Sequence, residues 1–135
     1  MSTRRRAREL VLKSMYAIEQ AGQSKEEIQA SIIEKSGLDD NSIAFARTLF
    51  SNAIDNLKQI DKYISKLATN WKLDRIAIVD KNILRMAIAE VEYMPDIPVK
   101  VAINEAIELA KTYSTIESAS FVNGILDKVM HEKGE

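Results

Sequence analysis

Apolar residues recur along this chain three and four positions apart almost from end to end, the spacing of amphipathic helices. Ala7, Leu10, Val11, Met15 and Ile18 make one face of a first helix that starts near Thr3, a fitting N-cap, and stops at Gly22. Ser24-Lys25-Glu26-Glu27 spells a capping box, with the serine hydroxyl and the Glu27 carboxylate each satisfying an orphan backbone N–H. The helix behind it presents Ile28, Ile32 and Ile33 and ends at Gly37. A third, longer helix is expected after Asp39-Asp40-Asn41. It carries Phe45, Leu49, Phe50, Ala53, Ile54, Leu57, Ile60, Ile64 and Leu67 down one stripe to about Ala68.

From Trp71 to Ile78 the pattern predicts only a turn of helix, with Trp71 plugging a gap. Asp80 is a candidate N-cap for a helix showing Ile83, Leu84, Ala87, Ile88 and Val91 inward, and Met94-Pro95-Asp96-Ile97-Pro98 ends it. Pro98 suits the first turn of the next helix, which runs to about Tyr113 on Val99, Ala102, Ile103, Ala106 and Ala110. Ser114-Thr115-Ile116-Glu117, a second capping-box spelling, opens a last helix packing Phe121, Val122, Ile125, Leu126 and Val129. Asn123-Gly124 would ordinarily signal a turn. Helical phase continues on both sides of it, so the glycine reads as one tolerated at about 1 kcal/mol for close helix packing. With two prolines and four glycines in 135 residues, the fold class is all-α with about seven helices.

Composition then removes whole classes of chemistry. No cysteine means no disulfide, thiolate nucleophile or cysteine-bound metal, and the single His131, read as exposed, cannot build a multi-histidine site. No cofactor is expected. No two glycines lie within six residues of each other, which excludes a phosphate-cradling loop or a dinucleotide fingerprint. The pairs Glu26/Glu27 and Asp39/Asp40 fall at helix starts, where the macrodipole favours negative charge. Glu105 and Glu108 could share a face as an acid–base pair, but a solvated or salt-bridged face is the plainer reading. The longest apolar runs are too short for a bilayer, and no signal-peptide core follows the basic start, so a cytoplasmic protein is expected.

Charge changes the picture more than composition does. The net charge of −1 hides five basic residues against one acidic in residues 1–16, leaving 14 basic against 19 acidic in the remainder. On a helical wheel Arg5, Glu9, Leu12, Lys13 and Tyr16 gather opposite the apolar face. Guanidinium groups bind phosphates bidentately and an exposed ring offers a stacking surface to an unpaired base, so this face fits a small single-stranded RNA site. The alternative is a solubilising helix start with Tyr16 packed on a neighbour. A targeting peptide or membrane-surface helix fits less well, because the apolar face lacks Trp or Phe.

Four stretches together resemble the NusB family of transcription antitermination factors. They are Arg4-Arg5-Arg6-Ala7-Arg8-Glu9-Leu10, Ile83-Leu84-Arg85 within Asp80–Arg85, Pro98-Val99-Lys100-Val101-Ala102-Ile103-Asn104-Glu105-Ala106-Ile107-Glu108-Leu109-Ala110-Lys111, and Phe121-Val122-Asn123-Gly124-Ile125-Leu126-Asp127. The similarity runs end to end. It implies one domain of two packed three-helix-bundle halves, about 3–68 and 71–132, and no catalysis. It also implies binding of boxA RNA in ribosomal RNA leader transcripts, together with the ribosomal protein NusE, in the transcribing RNA polymerase complex with other Nus factors. A homodimer that occludes the RNA surface is a further state the resemblance allows. The RNA-binding positions it carries over are Arg4, Arg5, Arg6, Arg8 and Tyr16, with Asp80, also an N-cap candidate, and Phe121, also a core candidate. Glu117 is the expected contact to NusE. Ser114-Thr115 and Ser118-Ala119-Ser120 replace the commoner glycine-containing and basic stretch before Phe-Val-Asn-Gly. Two rival classes remain: a helical protein-interaction adaptor without direct RNA binding, using exposed apolar residues such as Leu12, and a stand-alone relative of the RNA-binding domain of an RNA methyltransferase.

Overall fold

The computed structural model describes residues 3–134. Among them the all-helical expectation holds. There are seven α-helices: α1 (Thr3–Ala21), α2 (Lys25–Ile28), α3 (Asp40–Asp55), α4 (Leu57–Leu67), α5 (Ile78–Tyr93), α6 (Val99–Tyr113) and α7 (Ile116–Glu132). A π-helical turn, Gln29–Ile33, extends α2, and a 3₁₀ turn, Leu73–Arg75, precedes α5. The capping box at Ser24 and Glu27 forms as expected. Gly22, which ends α1, and Gly37, in the connection between the π turn and α3, adopt positive φ, 65° and 82°, where a β-carbon would be strained.

Four local expectations are corrected. The single long third helix is two, because the Asn56 side chain donates to the Asn52 carbonyl at 2.9 Å and competes with its own backbone N–H for that acceptor. Asn56 leaves helical geometry at φ −114°, ψ 21°, yet the stripe Phe45, Leu49, Phe50, Ala53, Ile60, Ile64 and Leu67 stays buried across the joint. The α5 N-cap is Ala77, and Asp80 stands three residues into the helix. Thr115, not Ser114, caps α7, its hydroxyl accepting from the Ser118 N–H at 3.1 Å, so the second capping-box spelling goes unused. Helix α7 runs unbroken through Gly124, but a β-carbon there would meet nothing within 4 Å, so close packing is not what selects the glycine.

Helix α5 is the axis around which the others pack, with every residue from Asn82 to Glu90 buried. Ala7, Val11 and Met15 of α1, Leu49 and Phe50 of α3, Ile103 and Ala106 of α6, and Val122 and Leu126 of α7 join its apolar residues in one continuous core. A helix buried all round cannot leave charges unpaired, so its three buried ionic residues, Asp80, Arg85 and Glu90, find partners on neighbouring segments. Arg85 donates bidentately to Asp61 of α4 at 2.7 and 2.8 Å, and also donates to Glu19 of α1. Burial opposes the Arg85 charge, but the hydrogen bonds and attraction of Asp61 and Glu19 outweigh it, so the pKa is raised. Glu90 receives Arg8 of α1 through Nε and Nη2 at 2.8 and 2.5 Å. These pairs orient α1 and α4 on α5.

Candidate nucleic-acid interface

Helical geometry sends the four arginines of α1 in three directions, with Arg4 and Arg8 one turn apart on the same side. Arg8, 3% exposed, points inward to Glu90, and its guanidinium lies 5.1 Å from the ring centroid of Phe45 on α3. It belongs to the fold. Expected among the phosphate contacts, it is buried because its turn of the helix coincides with that of Val11 and Met15. Arg4 is exposed, with its guanidinium 4.2 Å from the same Phe45 centroid, a cation–π contact that steadies the side chain without neutralising it. Arg5, partly exposed, donates to Glu105 of α6 at 3.3 and 2.6 Å, and Glu105 also lies 3.6 Å from Arg8. The Arg5 hydrogen bond, reinforced by attraction to Arg5 and Arg8, holds the Glu105 carboxyl below the usual carboxylate range against the opposing effect of burial. Arg6 is exposed and has no ion-pair partner among the described residues.

Two grooves flank the first turn of α5. The larger, about 430 Å³, lies between the outer face of α1 and the end of α6. Leu10, Leu12, Leu38 and Val79 give it an apolar floor, and Arg6, Lys13, Tyr16 and Tyr113 form its rim. Tyr16 and Tyr113 are each about half exposed, 46% and 48%. The Tyr113 hydroxyl donates to Glu9 at 2.6 Å, which raises its pKa and, with the Arg5–Glu105 pair, bridges α1 to α6. Asn82 lies in the same groove; its Oδ1 accepts from Arg85 at 3.0 Å, and its buried Nδ2 finds no acceptor among the described residues. The smaller groove, about 250 Å³, is lined by Trp71, Arg75, Asp80, Glu117 and Phe121.

Expected site residues therefore fall on adjoining surfaces. Tyr16 and Arg6 share the larger groove; Asp80, Phe121 and Glu117 share the smaller one. Asp80 is 3% exposed and accepts from the Ser114 hydroxyl, so it ties the α6–α7 corner to the first turn of α5, where its charge complements the helix dipole. Phe121 packs on the core cluster and shows its remaining surface to the groove. Trp71, expected to plug a gap, is 53% exposed and stands edge-to-face with Phe121 at 5.7 Å between centroids. Leu12 is also corrected. Expected on the outer half of α1, it is 8% exposed because α5 and the loop after the π turn close over that edge.

Sequence reasoning missed Trp71, Tyr113 and Arg75 as groove residues. Trp71 and Arg75 sit in a segment without periodicity, and Tyr113 meets Glu9 across 104 positions, a distance no local pattern spans. The carboxylates at 105 and 108 do not form an acid–base pair: Glu105 is engaged by Arg5 and Glu108 by Lys111 at 3.4 Å. Among the described residues no group of His, Asp and Glu could hold a metal ion, and no helix is long and apolar enough to cross a membrane.

Comparison with known proteins adds a family. A family model described as the NusB family matches residues 5–131. The transcription antitermination protein NusB of Chloroherpeton thalassium is 44% identical over 131 residues, covering 96% of this chain, which spans 62% of that relative's length. The solved structure of T. maritima NusB superposes with a TM-score of 0.88 at 39% identity, over 96% of this chain and 91% of that one. A crystal structure of antitermination factors NusB and NusE in complex with dsRNA shares the fold, with a TM-score of 0.85 at 24% identity over 96% of each chain.

Proposed function

The chain belongs to the NusB family, and from that premise we propose that it is a non-catalytic, RNA-binding transcription antitermination factor acting in the cytoplasm. The observation that carries this reading is the start of α1, where Arg4 and Arg6 are exposed and Arg5 partly so, together with the two grooves at the first turn of α5, one presenting Tyr16 and the other Phe121 with Trp71. Phosphates supply affinity and register through the guanidinium groups. Unpaired bases supply specificity by stacking on the rings and by hydrogen bonding to Asp80 or neighbouring polar groups. The ligand is the boxA element of ribosomal RNA leader transcripts. NusE binds beside it, with Glu117 as a contact, and the assembly joins the transcribing RNA polymerase with other Nus factors.

Titration of a fluorescent boxA RNA against a scrambled RNA, with and without NusE and across salt concentrations, tests this. Three phosphate contacts, at Arg4, Arg5 and Arg6, give a slope of log K on log salt near −2, from about −0.7 per contact on a single strand. A salt-insensitive affinity, or equal affinity for both RNAs with NusE present, rejects it. The apolar floor of the larger groove favours a second use, docking of the protein partner. Arg5→Glu with Arg6→Glu separates the two uses: RNA binding is lost while NusE binding persists. Loss of both, with the fold intact, would merge them into one surface.

A further inference from the structure

Two of the four arginines already have carboxylates, but for different physical reasons. Arg8 is buried and would be unstable alone, and Glu90 satisfies it through two hydrogen bonds. Arg5 has no such need. Its side chain keeps 37% of its surface in solvent, where an unpaired guanidinium is stable and a salt bridge adds little to folding. Yet Glu105 is clamped on it bidentately, and Glu9 and Glu108 add further negative potential around it. Of these two, Glu9 accepts from Tyr113 and Glu108 faces Lys111, whereas Glu105 is hydrogen-bonded to Arg5 itself.

We propose that Glu105 is an affinity-setting residue of the RNA surface: its carboxylate occupies the bidentate edge of Arg5 and competes there with RNA phosphate. This rests on the RNA-binding reading above. A phosphate reaching this edge of Arg5 must displace Glu105. An RNA that offers phosphates alone therefore draws less from this surface than four arginines in sequence would suggest. An RNA that also fills the flanking grooves offsets the competition with its base contacts. The acidic counter-charge stands on the basic helix itself, so it damps binding at the contact point rather than by the average charge of the molecule.

Glu105→Gln tests it, keeping size and a hydrogen-bond acceptor while removing the charge. The probe is labelled oligouridine, titrated by fluorescence anisotropy at several salt concentrations. Oligouridine, which does not offset the competition, draws phosphate contacts from Arg4 and Arg6 only; freeing Arg5 adds a third, which steepens the slope by about 0.7 and, at about 0.1 M salt, raises affinity roughly fivefold. The same substitution in an Arg5→Gln background is expected to add no steepening, since the competed group is then absent. An unchanged or shallower slope in Glu105→Gln overturns the proposal. So does equal steepening in both backgrounds, which would make Glu105 a general charge rather than a competitor at Arg5. A loss of affinity accompanied by a lower Tm and an unchanged slope would make it a structural residue only. If the unaltered protein binds oligouridine without salt dependence, the RNA-binding reading itself fails. Salt-dependent binding left unaltered by Glu105→Gln defeats this inference alone.

Discussion

Arg6 and Arg8 are two residues apart on the same helix and meet opposite fates. Arg6 stands in solvent at the rim of a groove, while Arg8 is sealed against α5 in a bidentate pair with Glu90. The 200° between them on the helix decides whether a positive charge is committed to the fold or left for a ligand. Around α5 the same logic recurs in Arg85, whose charge is matched by Asp61 and Glu19. The molecule thus has an inner set of ionic residues that fixes helix positions and an outer set that faces solvent. Sequence shows only one run of arginines.

The contrast breaks most visibly in stability. Removing one partner of the buried pair, by Arg8→Ala or Glu90→Ala, is expected to cost about 3–5 kcal/mol because an uncompensated buried charge remains, as read by urea denaturation. A cost under about 1 kcal/mol would show that the inner set is not structural. Replacing both partners together by apolar residues of similar volume is expected to recover most of that loss. For the outer set the readout is binding. Tyr16→Ala is expected to weaken RNA binding by about 1–3 kcal/mol if a base stacks there, with urea stability within about 0.5 kcal/mol of the parent. Unchanged RNA affinity with lost NusE binding would assign that ring to the protein partner.

Smaller effects sharpen the same line. The Arg5–Glu105 pair spans the two sets, and its effect on folding should depend on pH. Because the folded carboxyl titrates below its ordinary 4.5, the stabilisation is complete above that pH and is lost as pH falls through the lower folded value. The Tm difference between the parent and Glu105→Gln should therefore narrow on acidification below about 4.5. A difference that is constant across that range would detach Glu105 from the ionic network. Smallest of all, Gly124→Ala is expected to stabilise the helix by up to about 1 kcal/mol, since the site is helical and open, while leaving the ionic set untouched. Destabilisation would mean that something does pack against that face.

What the chain declares locally, it declares well. Apolar spacing located the helices, and the capping box at Ser24 and Glu27 formed as spelled, because each depends on neighbours three or four residues away. Tertiary partners were invisible. Asn56 splits a helix that periodicity joins, since its side chain finds a carbonyl that apolar spacing does not register. Asp80 suited an N-cap by residue type, yet Ala77 begins the helix and Ser114 claims the carboxylate. The basic head was legible as charge and only partly as geometry: helical phase already turns Arg8 toward the side of Val11 and Met15, but its partner Glu90, 82 positions away, has no local signal. Trp71 escaped for a related reason, because it lies in the connection before α5 while its partner Phe121 lies far along the chain on α7.

The separation of outer from inner arginines is tested most directly by the salt dependence of boxA RNA affinity in the parent protein and in Arg4→Ala/Arg6→Ala. The parent slope of about −2 should fall by about 1.4, to near −0.7, with stability unchanged within about 0.5 kcal/mol. A slope that stays near −2 in a folded double variant would contradict the account, since the phosphates would then be held by residues other than the outer arginines of α1.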